Sequence, residues 1–242
     1  MAAIGSIPWV GGFLSAAASI PGDEKAIRGD DLRSQWLEEH ERKLKQLRGT
    51  LDEVSDRFEK LGPTIEERIQ DPQYLALVRQ AFRTWDKAET DDKRRYVANL
   101  LSNAAGTSIC SDDVVRLFIA WLDLYHEAHF AVIRQVFKNP GATRYDIWAE
   151  IHGDIPREDS AEADLYRLLV RDLSTGGVVR QERATNASGQ FLRRRAVRRA
   201  GPAPTTMESA FEDTKPYVLT DLGRQFVHYT MNEVVPRIGG AD

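Results

Sequence analysis

The chain has 242 residues, room for one large domain or two small ones, and its 42 % hydrophobic share is enough for a sizeable core. A formal net charge of −4 and a pI near 5.8 exclude polyanion binding by the chain as a whole, so any such role belongs to a local patch. The single cysteine, Cys110, excludes an intramolecular disulfide and a cysteine-rich zinc site, and it fits a reducing cytoplasm.

The first 22 residues, MAAIGSIPWVGGFLSAAASIPG, carry no charged side chain. They lack the basic start of a secretory signal, and Pro8, Pro21 and four glycines make a poor spanning helix. Leaving Ile7, Trp9, Val10, Phe13 and Leu14 in water would be costly, so these residues are expected to contact either a membrane or protein, including a sister subunit.

Charge arrives at Asp23, and residues 23–62 form a heptad helix. Leu37, Leu44, Leu51 and Phe58 recur every seven residues, as do Leu47, Val54 and Leu61 three places on, with His40 interrupting the second row. The seam predicts a coiled-coil-like helix, laid against its own bundle or against a second copy. Gly62-Pro63 ends it.

Residues 63–140 predict a helical bundle. Thr64 has capping-box spacing, Asp71-Pro72 offers a helix start with proline in the first turn, and Thr90 caps a helix that Gly106 ends. Ser111 opens SDDVVRLFIAWLDLYHEAHFAVIRQVFKN, read as one helix reaching Asn139-Pro140-Gly141. Its run of Val114, Val115, Leu117, Phe118, Ile119, Trp121 and Leu122 leaves almost no polar side and suits the bundle centre. His126 and His129 share a helix face, but no third ligand accompanies them and the HExxH spacing is absent, so no metal site is expected. Cys110, next to a helix start, reads as an ordinary small buried residue, the alternative being a thiol of lowered pKa. Asp91-Asp92 and Asp112-Asp113 sit where helix starts favour acids. With no glycine-rich phosphate loop, GxSxG elbow or nuclease-like acidic cluster, no catalytic residue, cofactor or enzymatic activity is expected.

Residues 143–235 read as helix, helix, strand, wing, strand, helix: a winged-helix-like α+β module. Thr143 caps a helix burying Ile147, Trp148 and Ile151. Ser160 caps the next, in which Leu165, Leu168, Leu169 and Leu173 form the expected apolar stripe and Glu162, Asp164, Arg167 and Arg171 face outward. In a DNA-binding winged helix this second helix enters the major groove, where two leading acids would repel phosphates, so it suits a protein surface better. The excursion over 183–215 is rich in arginine. From Val178 to Pro202, Arg180, Arg183, Arg193, Arg194, Arg195, Arg198 and Arg199 stand against Glu182 alone, a surplus of six positive charges that could track nucleic acid or an anionic surface. Thr220 caps the closing helix, where Leu222, Phe226, Val227 and Met231 are apolar.

Three runs, FRTWDKAETDDKRRYVANLLSNAAGT, SDDVVRLFIAWLDLYHEAHFAVIRQVF and VLTDLGRQFVHY, make residues 70–232 resemble the abortive-infection alpha group, a domain-of-unknown-function family of bacterial helical proteins associated with phage defence. The resemblance implies a bacterial cytoplasmic or membrane-associated protein, and no site residue is carried over from it. The leader and the arginine-rich wing lie outside that pattern.

The expected fold is thus mostly α: a helical bundle with an N-terminal coiled-coil-like helix and a C-terminal winged-helix-like module. The expected function is that of a non-enzymatic interaction or effector protein of a phage-defence system, self-assembling and engaging membrane through its N-terminus. The alternative is a winged-helix regulator binding nucleic acid through its wing. Expected partners are a second copy of the chain, a membrane through residues 1–22, nucleic acid or an anionic surface through the wing, and a partner protein.

Overall fold

The computed structural model describes residues 31–61, 65–107, 109–192 and 208–231, and of residues 31–37, 39–40 and 61 the backbone alone. These residues are mostly helical, with one two-stranded antiparallel sheet near the C-terminus. The chain divides into two compact units. One runs to Leu124 and takes in the chain again from His228; the other covers Tyr125–Val227.

In the first unit the long helix α1 (Asp31–Leu61) lies along α4 (Asp91–Gly106), with the short α2 (Glu66–Gln70), then α3 (Pro72–Lys87) and α5 (Asp112–Leu124) completing the bundle. The heptad seam is used inside the chain: Leu51, Val54 and Phe58 are buried, and Leu47, Leu75 and Phe82 pack on Leu51. That occupancy withdraws the stretch from Leu47 to Phe58 from a partner helix, while Leu44 is half-buried. Leu37 and Leu61 lie outside the described side chains.

The helix starts expected at Asp71 and Thr90 follow the sequence, and Thr64 lies outside the described residues. Asp71 accepts from the Gln73 N–H at 2.9 Å with Pro72 in the first turn, and Thr90 accepts from the Lys93 N–H at 3.2 Å. Buried polar side chains then tie the unit together. Arg94 donates to the Ala88 carbonyl at 2.7 Å and lies over the Trp85 ring. Asn99 and Asn103 donate to the Thr230 and Tyr229 carbonyls at 2.8 and 3.1 Å, holding the last turn of the final helix.

The run read as a single helix from Ser111 is broken. Helix α5 ends at Leu124, and α6 (Glu127–Lys138) begins beyond Tyr125 and His126. In an unbroken helix His126 would fall on the buried stripe Val115–Ile119–Leu122–Phe130–Ile133. The break instead leaves His126 exposed and turns Tyr125 inward. The expectation of a helix apolar on all sides also gives way: Leu117, Ala120 and Leu124 form an exposed stripe on α5, and Val115, Phe118, Ile119, Trp121 and Leu122 the buried one.

The second unit begins with α6 and continues through α7 (Arg144–His152), α8 (Ala161–Thr175), β1 (Val179–Gln181), β2 (Tyr217–Leu219) and the start of α9 (Asp221–Thr230). Strand β1 pairs with β2 in the register Val179–Leu219, Arg180–Val218, Gln181–Tyr217. On its other edge Tyr217 exchanges two backbone hydrogen bonds with the α6–α7 loop: its carbonyl accepts from the Gly141 N–H and its own N–H donates to Ala142, each at 2.9 Å. Trp148, Tyr166 and Phe211 stack or meet edge-on at 5.1–5.7 Å between centroids and fill the space beside the sheet. Thr143, Ser160 and Thr220 cap α7, α8 and α9 as their spacing predicts. Ile147 and Trp148 are buried as expected, and Ile151 is half-buried.

Candidate functional site

In the second unit, α8 and the hairpin that leaves β1 each present exposed apolar side chains. Helix α8 buries Ala163, Tyr166, Leu169, Val170 and Leu173, a 3–4 spacing that sets its rotation. Two leucines expected in that stripe therefore point out: Leu165 is 51 % exposed and Leu168 40 %. Tyr166 decides the matter, because its ring fits the aromatic cluster and its hydroxyl donates to the Arg144 carbonyl at 2.8 Å. Around the two leucines stand Glu162, Asp164 and Arg171, all exposed, with Arg167 half-buried between Asp164 and Glu158. Glu158 also accepts from the Ser209 hydroxyl and the Ala210 N–H, so Arg167 is held by its neighbours rather than presented to a ligand.

The hairpin is short. Thr185 and Phe191 form a bridge, Leu192 donates its N–H to the Ala184 carbonyl at 2.9 Å, and the Asn186 carboxamide oxygen accepts from the Ser188 and Gln190 N–H groups to close the tip. Arg180 lies over the Phe191 ring with 4.9 Å to its centroid, and Arg183 is exposed. Phe191 and Leu192 remain 51 % and 53 % exposed. Of the seven arginines between Val178 and Pro202, Arg180 thus lies against an outward aromatic ring and Arg183 is exposed. Arg193, Arg194, Arg195, Arg198 and Arg199 lie outside the described residues, as do Ile7, Trp9, Val10, Phe13 and Leu14 of the leader.

The YHEAH stretch has a structural role. His129 is buried; its Nδ1 accepts from the His126 N–H at 3.1 Å, satisfying one of the orphan donors at the start of α6. Its Nε2 makes no hydrogen bond among the described residues and lies 3.8 Å from the Asp172 carboxylate. The Tyr125 ring stacks on it at 5.0 Å. Burial holds the His129 pKa below its ordinary value, against the opposing pull of Asp172. Burial, helped by Asp172, pushes the Tyr125 hydroxyl up to about 12. A neutral imidazole and a protonated phenol lining a helix start make a packing cluster. Among the described residues no group of three His, Cys, Asp or Glu side chains is placed to hold a metal ion.

Cys110 is half-buried, and burial raises its pKa, which removes the reading of an activated thiol. Its backbone N–H donates to the Tyr229 hydroxyl at 3.2 Å. Among the described residues no helix is long and apolar enough to cross a membrane. Comparison with models of known protein families, with curated proteins and with solved structures gives no match.

Sequence reasoning missed Leu165, Leu168, Phe191 and Leu192 as outward groups. Counting Ala163 and Tyr166 as core would have found the first two. Within α8, the set 163, 166, 170 and 173 spaces better as one face than 165, 168 and 169.

Proposed function

We propose that this chain is a non-enzymatic interaction protein, an effector of a bacterial defence system of the abortive-infection kind, that assembles with copies of itself. Its second unit is read as a winged-helix-like module turned to protein docking. Three features support that module reading. The order is helix, helix, helix, strand, hairpin, strand; the α6–α7 loop pairs with β2 in the place of a first short strand; and the hairpin stands where a wing would.

One observation carries the functional reading. The face of α8 that would enter a groove presents Leu165 and Leu168, with Glu162 and Asp164 at its leading end and Arg171 beyond. Leucines lose their hydration cost against protein, whereas acids beside phosphates oppose binding. The family part of the proposal rests on the resemblance over residues 70–232.

Light scattering of the full chain over a wide concentration range, with and without residues 1–22, tests self-assembly. Species larger than one copy are expected, and a single copy at every concentration refutes the proposal. Leader-dependent flotation with anionic vesicles tests membrane engagement; equal flotation without the leader removes it.

The exposed Arg183 and the adjoining basic sequence favour one second reading, a nucleic-acid binder acting through the wing. That reading requires a salt-sensitive shift of duplex DNA, weakened when Arg193, Arg194 and Arg195 are replaced by glutamine.

A further inference from the structure

Among the exposed apolar side chains of the second unit, which include Phe137, Tyr145 and Ile155, two pairs differ in their electrical surroundings. On α8, Leu165 and Leu168 stand among exposed Glu162, Asp164 and Arg171, with Arg167 paired to Asp164; on the hairpin, Arg180 lies over Phe191, and Glu182 and Arg183 are exposed on the segment that leads to it. Both surfaces are open in the same copy, with all four apolar side chains between 40 % and 53 % exposed, so neither covers the other within one chain. Each is what the other lacks: a narrow apolar ridge on a helix where Glu162 and Asp164 outnumber Arg171, and a hairpin carrying an aromatic ring and a leucine where Arg180 and Arg183 outnumber Glu182.

We propose that the α8 face of one copy receives the 183–192 hairpin of a second copy. The inference rests on the self-assembly reading above and names the surfaces that carry it. Desolvating Phe191 and Leu192 calls for an apolar counter-surface, which phosphate backbones do not offer and α8 does. Glu162 opposite Arg183 fixes the register and opposes pairing of like faces, α8 on α8 or hairpin on hairpin. Because the two surfaces differ, the contact is heterologous: every copy that receives a hairpin still offers its own, and association continues into a ring or a chain.

The test uses the full-length protein and variants on each side, all checked to keep the wild-type melting temperature. Leu165→Asp with Leu168→Asp disables the helix face, and Phe191→Asp with Leu192→Ser disables the hairpin. Each variant alone is expected to stay a single copy in light scattering, with the association constant reduced about a hundredfold. Mixed together they are expected to form one-to-one pairs that grow no further, since one intact face of each kind remains.

A second pair of variants avoids buried apolar loss altogether. Glu162→Arg and Arg183→Glu each weaken association alone, and the chain carrying both recovers it. Wild-type association that persists in either double variant, or a mixture that stays at single copies, overturns the docking inference and leaves self-assembly standing. A wild type that never exceeds one copy overturns both.

Discussion

Replacing Gly223 with alanine puts one methyl group where the second unit has no room for it. A Cβ at Gly223 would stand 2.1 Å from the Val178 carbonyl oxygen and 3.0 Å from its carbon. An ordinary carbon–oxygen contact is about 3.3 Å, so α9 and the start of β1 must part by roughly 1.2 Å. That carbonyl is already committed, accepting the Thr220 N–H at 3.0 Å, and the Thr220 hydroxyl that caps α9 donates to the neighbouring Gly177 carbonyl at 2.6 Å. Two backbone segments therefore have to move together with a helix cap. Overpacking of this kind costs about 3 kcal/mol, at the upper end of its usual range. The better helix propensity of alanine returns about 1 kcal/mol, leaving a loss near 2 kcal/mol. For a chain of this length that is a fall in Tm of about 4–8 °C. The internal comparison is Gly49→Ala in α1, where nothing lies within 4 Å of the added Cβ. There the propensity gain acts alone, and stability should rise by about 0.5–1 kcal/mol. Thermal melts followed by far-ultraviolet circular dichroism give both signs in one experiment. A Gly223→Ala protein melting at or above the wild type would refute the reasoning.

Asn99→Ala strips the buried Thr230 carbonyl of its donor and Arg57 of an acceptor, and should lower stability by about 2 kcal/mol; a urea midpoint unchanged from wild type would count against the latch. Arg94→Ala should cost a similar amount, and Arg94→Lys should recover only part of it, because one ammonium cannot lie over Trp85 while also reaching Ala88 and Asp91. His129 has a pKa lowered by burial, so the unfolded chain binds the proton more readily; its stabilising contribution is complete above the unfolded value near 6.5 and is lost as pH falls through it towards the folded value. His129→Gln keeps an acceptor for the His126 N–H and should flatten that part of the stability–pH profile, and an unaltered profile would show that another group titrates there.

Local chemistry made much of the fold legible. Asp71, Thr90, Thr143, Ser160 and Thr220 each cap the helix their spacing announces, because a cap is a contact between residues two or three apart and needs nothing from the rest of the chain. The heptad seam was equally visible, but its occupant was not: a narrow apolar stripe looks the same whether α4 or a second copy covers it. The break at Tyr125–His126 has no signature in the sequence because neither residue is a helix breaker, and the start of α6 is held by His129 accepting the His126 N–H. On α8 the leucines misled, since an aromatic partner cluster contributed by Trp148 and Phe211 rather than hydrophobicity alone chose which face turned inward.

The same distinction separates what the resemblance motifs report from what they leave open. In the first run, which includes α4, Arg94 holds the α3–α4 connection, Leu100, Leu101 and Ala104 are core, and Asn103 latches the last turn of α9. In the closing run, Leu219 and Phe226 are core, Thr220 caps, and Gly223 yields space to Val178. Every one of these side chains faces inward or satisfies a backbone group, so motifs of this kind speak for an architecture and are indifferent to its use. Use must reside on the outward faces, and there a few atoms decide the outcome. With Leu165, Leu168 and Glu162 exchanged for basic or small polar residues, α8 would keep its packing on Tyr166, Leu169, Val170 and Leu173 and yet trade an apolar outward ridge for one suited to phosphate. Assembly of the intact chain is therefore predicted to respond to substitutions at these outward positions that leave its melting temperature where it was.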